Sequence, residues 1–336
     1  MIKFKFFKKI LFFISITVVN LFVFACNQSN KESNLEISVE TVAKTNDYKY
    51  YDFFGISPCE IIIPKNQTIS QSLSVVVSNG KGELIVFDGG RVEDADYLID
   101  IIKEYGGKVK YWFLTHIHDD HIGALLKILL DKRIDIKIEN LYYDFASFDW
   151  YYDKIGDDAG IYYLFIDAIN DYNDYLSKNG IETIKVTTDY IKYNSEVNND
   201  NKSTDIKVNI LNKHYELDQD PINNTSIVYL VTVNNTKMLI FGDLGYRGGE
   251  ILFSDKFENN DIDIIVLAHH GQDGVDPIHY KNFKPKVIVW PTSEDIFRNT
   301  HGRYLTDDTK NALKDIESIK YQIKSYEKTA VIRWEK

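Results

Sequence analysis

The sequence predicts a layered α/β sandwich, and three observations lead to this fold class. Short apolar runs of strand length, separated by turn residues, begin near residue 48 and recur to the C-terminus. Segments with the apolar period of a helix interrupt them in both halves of the chain. The 336 residues are 44% hydrophobic with only 6 Pro and 18 Gly, which is enough apolar material for a sizeable core. We therefore expect one folded domain over residues 48–336, built from two β-rich halves that each carry helices.

In the first half the patterns predict strands at residues 75–77, 84–87 and 109–114, and helices at residues 94–105, 121–130 and 158–177. Asn79-Gly80 between the first two strands is a strong hairpin signal. The last helix has the clearest apolar stripe in the chain. Its predicted members are Ile161, Leu164, Phe165, Ala168, Ile169, Tyr172 and Leu176.

In the second half strands dominate. They are predicted at residues 206–211, 226–233, 236–241, 262–267, 287–290 and 330–334, with one helix near residues 309–319. Asn234-Asn235 marks the turn between two of these strands. Two β-rich halves that each carry helices indicate a layered α/β sandwich.

The N-terminus has the layout of an export signal. Residues 1–9 are basic, residues 10–24 are almost wholly apolar, and Ala25-Cys26 follows at once. We expect residues 1–25 to be a signal peptide and residues 26–47, rich in Ser, Asn, Lys and Glu, to be a flexible tether. The alternative is a plain membrane anchor, but 15 apolar residues are short against the roughly 20 that span a bilayer.

The segment that ends at Ala25-Cys26 resembles the lipobox of bacterial lipoproteins. The resemblance implies that Cys26 is lipidated after cleavage, so that the exported protein is held on the cell membrane, outside the cytoplasm. The membrane, through this lipid anchor, is therefore an expected partner.

Charge and cysteine content exclude several kinds of site. The formal charge is −11, and removing the four lysines of residues 1–25 leaves 35 basic against 50 acidic residues, a net charge of −15. Such a surface gives no strong sign of duplex nucleic-acid binding, which needs a basic face. The two cysteines, Cys26 and Cys59, form neither a disulfide framework nor a Cys-x-x-Cys metal site.

One segment concentrates metal-ligand side chains. After the strand at residues 109–114 the chain reads Thr115-His116-Ile117-His118-Asp119-Asp120-His121. Alternation on an extended segment directs His116 and His118 to the same side, and a helix start then re-aims Asp120 and His121. Imidazole and carboxylate groups suit zinc or a similar ion, which lowers the pKa of bound water to near ~7. A polar loop with surface histidines is the ordinary alternative.

This segment matches the His-x-His-x-Asp-His motif of the metallo-β-lactamase superfamily, and three other segments resemble that family in the same order. They are Asp88-Gly89-Gly90 after a strand, Gly242-Asp243 after a strand, and His269-His270-Gly271 after a strand. The resemblance implies a four-layer αβ/βα sandwich. It also implies two divalent metal ions, zinc as the first choice with manganese or iron as alternatives.

Carried over position by position, the resemblance implies a set of ligands around those two ions. His116 and His118 would bind the first ion, Asp120, His121 and His270 would bind the second, and Asp243 would bridge both. Asp88 would order the metal loop, and His269 would lie behind the ligands or contact substrate, with a plain core histidine as the equally open alternative. Asp120 would also orient the attacking hydroxide.

Two further histidines are candidates outside these motifs. The family usually supplies another histidine to the first metal after the opening strand of the second half, where this chain has Asn212-Lys213-His214. Either His214 reaches the metal or Asn212 occupies the position and leaves a weaker site. His301 follows the strand that ends at Trp290 and is a candidate contact to the leaving group or the phosphate of a substrate, although a surface histidine is the ordinary alternative.

The segments at Asn223-Asn224-Thr225-Ser226, Gly242-Asp243 and His269-His270-Gly271 resemble the branch that holds the ComEC hydrolase domain and the phosphorylcholine esterase. That branch implies an exported hydrolase of small-molecule or polymeric phosphoesters or phosphodiesters that uses a metal-bound hydroxide. The alternatives are a hydrolase of lactones, amides or β-lactams on the same metals, and a surface lipoprotein that binds a ligand without catalysis.

Overall fold

The computed structural model describes residues 48–52, 59–188, 196–198, 206–254 and 261–333. The expected signal peptide over residues 1–25, the lipidation site Cys26 and the tether over residues 26–47 lie outside the described residues. No helix in the described ranges is both long enough and apolar enough to cross a bilayer.

The first sheet contains nine strands, most of them from the N-terminal half. They are β1 (Tyr48–Asp52), β2 (Glu60–Ile63), β3 (Ser74–Ser78), β4 (Glu83–Asp88), β5 (Lys108–Phe113), β6 (Lys137–Ile138), β7 (Asn140–Tyr142), β8 (Lys185–Thr187) and β16 (Thr329–Arg333). Their order is β1-β16-β2-β3-β4-β5-β7-β8, with β6 also paired to β5. The predicted hairpin is confirmed, because β3 and β4 pair antiparallel around Asn79-Gly80.

The second sheet contains seven strands. They are β9 (Glu196–Asn198), β10 (Ile206–Ile210), β11 (Tyr229–Val233), β12 (Thr236–Ile240), β13 (Ile264–Val266), β14 (Val287–Trp290) and β15 (Tyr321–Lys324). Their order is β15-β14-β13-β12-β11-β10-β9. The strands from β12 to β15 run parallel, so the loops that follow them open at one edge of the sheet.

Eight helices of the described ranges cover the outer faces of the sheets. They are α1 (Ala95–Glu104), α2 (Asp119–Leu130), α3 (Phe148–Ile155), α4 (Gly160–Lys178), α5 (Tyr246–Ser254), α6 (Ile278–Phe283), α7 (Glu294–Arg298) and α8 (Thr306–Lys314).

The alternation of side chains along the strands explains the four layers. In β2 and β3, Ile61, Val75 and Val77 belong to a core that also includes residues of the second sheet, whereas Ile62 and Val76 belong to a core shared with helices α1, α2 and α4. In the second sheet, Leu239 and Ile265 pack with Leu252, Phe283 and Leu313 of the helices on the other side. Three apolar cores therefore separate four layers, and the four-layer sandwich is confirmed.

Two details of the predicted elements are wrong. Leu164 is not part of the buried stripe of α4; it is 42% exposed, on the side of the helix that faces away from the core. The helix predicted near residues 309–319 is α8 and ends at Lys314. Ile316 and Ile319 still pack in the core, but they do so from turns whose hydrogen bonds span three residues.

Candidate metal centre

The metal motif lies between the end of β5 and the first turn of α2. His118 is the last extended residue, with φ −64° and ψ 151°, and α2 begins at Asp119. Asp120 and His121 consequently occupy the first helical turn and are buried there. Carboxylates at a helix N-terminus are favoured by the helix dipole, so this turn accepts Asp119 and Asp120 without opposing the local fold.

The candidate ligands and Asp88 lie together at the ends of four strands. Asp88 ends β4, the motif follows β5, Asp243 follows β12 and the His269-His270-Gly271 turn follows β13. Backbone contacts join the two sheets at this point, because the amide of Ile227 donates to the carbonyl of Thr115 at 3.0 Å. The two halves of the chain thus share one site.

The structure brings six of the predicted ligands into two adjacent groups. One group consists of Asp120, His121, Asp243 and His270, all buried, and the other of His116, His118 and Asp243. Within each group the candidate ligand atoms lie within 4.8 Å of one another. Asp243 belongs to both groups, which is the arrangement expected of a carboxylate that bridges two ions.

The first-named group is the larger of the two, with four side chains against three. His270 Nε2 lies 3.2 Å from Asp120 Oδ2 and 3.3 Å from Asp243 Oδ2. His121 Nε2 lies 3.1 Å from Asp243 Oδ1. Carboxylate and imidazole atoms therefore converge from four side chains, as a tetrahedral ion requires.

The second group presents two imidazoles from the extended segment. His116 Nε2 and His118 Nδ1 are 2.9 Å apart, and His116 Nε2 lies 3.9 Å from Asp243 Oδ2. The predicted same-side orientation of the two histidines is confirmed by this contact. The Asp243 oxygen nearest to His116 is also the one nearest to His270, so the two groups share an edge.

Hydrogen bonds behind the ligands fix which ring nitrogen faces the centre. Asp88 Oδ2 lies 2.8 Å from His121 Nδ1, and the Nδ1 of His270 lies 2.6 Å from the carbonyl oxygen of Pro291. The Asp88 carboxylate also accepts from the amide and the hydroxyl of Thr115. When Nδ1 carries the proton toward these acceptors, the lone pair of Nε2 is left for a metal ion.

Unusual backbone conformations hold the loops in position. Asp88 has φ 52°, and His269 and His270 have φ 45° and 58°. Left-handed backbone at non-glycine residues costs on the order of 1–3 kcal/mol each and persists where the surrounding structure fixes it. Here it aims the Asp88 carboxylate at His121 and His270 Nε2 at the two aspartates.

Burial and mutual charge divide the protons of the metal-free centre unevenly. Burial and the neighbouring His121 and His118 lower the pKa of His116 well below 6.5. Burial also acts to lower the pKa of His270, but Asp243 and Asp120 outweigh it and raise that pKa to about 9. The pKa of Asp243 is held well below its ordinary value, because His121 and His270 outweigh the opposite effect of burial.

The donor set fits a divalent metal. Among the described residues, the buried atoms His121 Nε2, His270 Nε2 and Asp243 Oδ1 make no hydrogen bond of acceptable geometry, although His121 Nε2 and Asp243 Oδ1 are 3.1 Å apart. A buried polar atom without a hydrogen bond costs about 1–3 kcal/mol, and three such atoms that converge on one another fit the donor set of a divalent ion. Two or three imidazoles with one or two carboxylates per ion are typical of zinc.

A comparison with protein-family models now decides the family, because the model of the metallo-beta-lactamase superfamily matches residues 68–290. The chain belongs to the metallo-beta-lactamase superfamily. This membership makes a metal-dependent hydrolase the coarse expectation, and the two groups of histidines and aspartates described above could hold a metal ion. No curated protein matches the chain in sequence.

Solved structures with a similar arrangement are distant in sequence. The metallo-beta-lactamase fold protein YhfI from Bacillus subtilis shares 10% identity, with 80% of this chain and 96% of that chain covered and a TM-score of 0.46. Igni18, a metallo hydrolase from Ignicoccus hospitalis, shares 13%, with 82% and 100% covered and a TM-score of 0.45. Unliganded yeast PDE1 shares 10%, with 83% and 98% covered and a TM-score of 0.48.

Neither candidate for the remaining ligand position of this metallo-beta-lactamase superfamily member belongs to one of the two metal groups. Asn212 is buried, its amide nitrogen donates to the carbonyl of Ser226 at 2.9 Å, and its oxygen accepts from the amide of Val228 at 2.7 Å. His214 lies in neither metal group; its Nδ1 is 2.8 Å from Asp144 Oδ1. Asn212 thus has a structural role, and a metal-binding role of His214 stays a prediction.

The other two predicted histidines differ in their distance from the centre. His269 Nδ1 lies 2.8 Å from Asp273 Oδ1, and its Nε2 lies 4.0 Å from Asp243 Oδ2, so it borders the centre as expected. His301 is exposed in the turn that follows α7, and the structure does not bring it into either metal group. Its role as a substrate contact stays a prediction.

The sequence patterns predict no role for two residues at the centre. Thr115 bonds to Asp88 and places its hydroxyl 3.1 Å from His116 Nδ1, so it connects both halves of the motif. Arg91 Nη1 donates to Asp119 at 2.7 Å, beside the candidate ligand Asp120. Their positions in the sequence could have indicated a role, because Thr115 directly precedes the first histidine of the motif and Arg91 directly follows Asp88-Gly89-Gly90.

Proposed function

We propose that this protein is a hydrolase of phosphoester or phosphodiester bonds that works with two divalent metal ions, zinc as the first choice. The observation that carries the proposal is the position of Asp243 in both metal groups. Two ions a few ångströms apart are typical of enzymes that transfer phosphoryl groups, because they can contact the attacking and the leaving oxygen together. The resemblance to the phosphorylcholine esterase branch supports the same substrate class.

The roles of the side chains follow from their contacts. His116, His118 and Asp243 would hold one ion, and Asp120, His121, Asp243 and His270 the other. When bound, the ions would lower the pKa of a coordinated water and polarise the phosphoryl group. Asp120, which is 3.2 Å from His270 and mostly buried, would orient the nucleophile as well as bind metal.

Rigid partners would keep these ligands in place during the reaction. Asp88 and the carbonyl of Pro291 fix the rings of His121 and His270 through their second nitrogens. Little reorganisation is then needed when charge develops on the substrate, which is a principal source of catalysis in enclosed sites.

A hydrolase of lactones, amides or β-lactams would use the same centre, and a non-catalytic binding lipoprotein is the remaining alternative. Metal content and a substrate panel separate the three. The zinc-loaded protein, residues 27–336, would be assayed with chromogenic phosphodiesters, a phosphocholine ester, a lactone and a cephalosporin.

Turnover of phosphodiesters above the other substrates, abolished by Asp243→Ala, is the expected result. Preference for the lactone or the cephalosporin would refute the substrate class. Purified protein that takes up no transition metal would refute both enzymatic proposals.

We further propose that the protein is exported and held on the cell membrane by a lipid on Cys26. The support is the order of basic, apolar and small residues before that cysteine. The full chain should partition into membranes and incorporate a labelled fatty acid, and Cys26→Ala should abolish both. Membrane attachment that survives Cys26→Ala would show that the apolar segment itself is the anchor.

A further inference from the structure

One edge of the Arg91 guanidinium group faces the candidate metal centre. Its Nε donates to the carbonyl of Gln71 at 3.0 Å and its Nη1 donates to Asp119 Oδ2 at 2.7 Å. Its Nη2 lies 3.7 Å from Asp120 Oδ2. Among the hydrogen bonds of the described part of the chain, none uses this Nη2.

The direction of Nη2 is fixed by the other two contacts. The guanidinium group is planar, so anchoring Nε and Nη1 leaves no freedom to turn Nη2 away. The oxygen beside it, Asp120 Oδ2, is the one that lies 3.2 Å from His270 Nε2 within the metal group. The unused donor of Arg91 therefore lies beside a candidate ligand atom, on a side chain that remains 22% exposed.

Arg91 is also chemically different from its neighbours. The other ion pairs among the described residues of the centre join histidines to aspartates, whereas the guanidinium carries a permanent positive charge. At 3.7 Å the contact between Arg91 Nη2 and Asp120 is too long for a hydrogen bond, so Nη2 does not orient that carboxylate. An anionic oxygen of a substrate, placed between Nη2 and the metal ions, would accept a hydrogen bond from this unused donor.

We propose that Arg91 is a substrate-contacting residue that binds a negatively charged, non-bridging oxygen of the phosphoester. The inference rests on the proposed phosphoester function and narrows it, because lactones and other neutral substrates carry no such oxygen. An anion at this position would gain a charge-assisted hydrogen bond, which is about twice as strong as a neutral one.

The test measures binding of inorganic phosphate to the zinc-loaded protein by calorimetry, with zinc content determined for each variant. Arg91→Met removes the positive charge, whereas Arg91→Lys keeps the charge but lacks the planar guanidinium group with its several N–H donors. Arg133→Met is the matched control, because Arg133 is similarly half-buried between two carboxylates, Asp96 and Asp135. It follows the far end of α2, whose 12 residues span about 18 Å.

Arg91→Met should weaken phosphate binding about tenfold or more at unchanged zinc content, Arg91→Lys should weaken it less, and Arg133→Met should leave it unchanged. Wild-type affinity in Arg91→Met, loss of zinc in step with loss of phosphate binding, or no phosphate binding by the wild type would overturn the inference. Diester hydrolysis by the wild type is scored separately: its absence would refute the proposed function, whereas phosphate binding that depends on Arg91 would still support Arg91 as the anion-binding residue.

Discussion

Asp88 and His121 form a buried pair in which Asp88 Oδ2 lies 2.8 Å from His121 Nδ1. The same carboxylate accepts from the amide and hydroxyl of Thr115 at 2.7 and 2.8 Å. One carboxylate thus ties the end of β4 to both ends of the metal motif. The metal centre depends on a residue that would not itself touch the metal.

The Asp88→Asn variant should bind zinc about 10–100-fold more weakly, because outer partners of metal-ligating histidines commonly contribute that much to affinity. The introduced amide nitrogen would face donors, so the free energy of unfolding should also fall by about 1–3 kcal/mol. Competition with a chromogenic chelator and urea unfolding would measure the two effects.

The control for this variant is Asp94→Asn. Asp94 is also buried and accepts from two amides, those of Gln67 and Arg91, without contacting a ligand histidine. It should lose stability while it keeps zinc affinity. Equal loss of zinc affinity in both variants would mean that general loosening, not the Asp88–His121 bond, governs metal binding.

The glycine that precedes Asp243 should be intolerant of any side chain. Gly242 has φ 58°, and a Cβ there would lie 2.6 Å from Cβ of Thr115. Gly242→Ala should therefore lower the free energy of unfolding by about 2–5 kcal/mol, combining overpacking of about 1–3 kcal/mol with backbone strain of about 1–2 kcal/mol.

Gly107→Ala separates the two contributions, because Gly107 has φ 74° but open space around its Cβ position. Its cost should be confined to the strain of about 1–2 kcal/mol. Urea unfolding of both variants would check the difference. If Gly242→Ala were no more costly than Gly107→Ala, the close approach to Thr115 would not matter.

Much of the centre could be predicted from the sequence because its ligands lie in short motifs at strand ends. His116, His118, Asp120 and His121 fall within six positions, where a strand-to-helix transition leaves few alternatives for their directions. Arg91 was missed because its partner Asp119 is 28 residues away and only the tertiary fold joins them.

Features set by packing were also harder to predict. The left-handed backbone of His269 and His270 has no signal in side-chain type, since neither residue is a glycine. Likewise, apolar Ile316 and Ile319 suggested that the last helix continues, although they reach the core from turns. In both cases contacts made by the completed fold, rather than local preference, decide the conformation.

Zinc affinity should depend steeply on pH. In the metal-free protein the carboxylates raise the pKa of His270 to about 9, so below that pH an ion must displace a proton from its ring. Each displaced proton makes apparent affinity rise about tenfold per pH unit below the pKa of its group, so the contribution of His270 should flatten above about pH 9. The pKa of His121 is raised as well, so the slope should exceed that of one proton.

Chelator competition between pH 6 and 10, corrected for protonation of the chelator, would measure this slope. Proton release on zinc binding, followed in two buffers of different ionisation enthalpy, provides an independent check. Affinity that does not change across this range would mean that the histidines of the metal-free centre are already neutral.

Two ions should bind with unequal affinity, because the groups offer unequal numbers of ligands. Asp120, His121, Asp243 and His270 form the larger group, whereas His116 and His118 share only Asp243. Removal of zinc with increasing chelator should therefore occur in two steps, and His118→Ala should eliminate the weaker step while His270→Ala should eliminate the tighter one. A single step in the wild type would contradict this assignment.

His214 decides whether the weaker position gains a further ligand when metal is present. Its Nδ1 is 2.8 Å from Asp144, which resembles the support that Asp88 gives to His121, but its Nε2 is 3.6 Å from Glu216 and outside both metal groups. If a bound ion draws this ring in, His214→Ala should lower the affinity of the weaker step only, about 10-fold or more, and leave the tighter step unchanged. Unchanged affinity in both steps would assign His214 to the Asp144 pair alone and leave the weaker ion with three protein ligands.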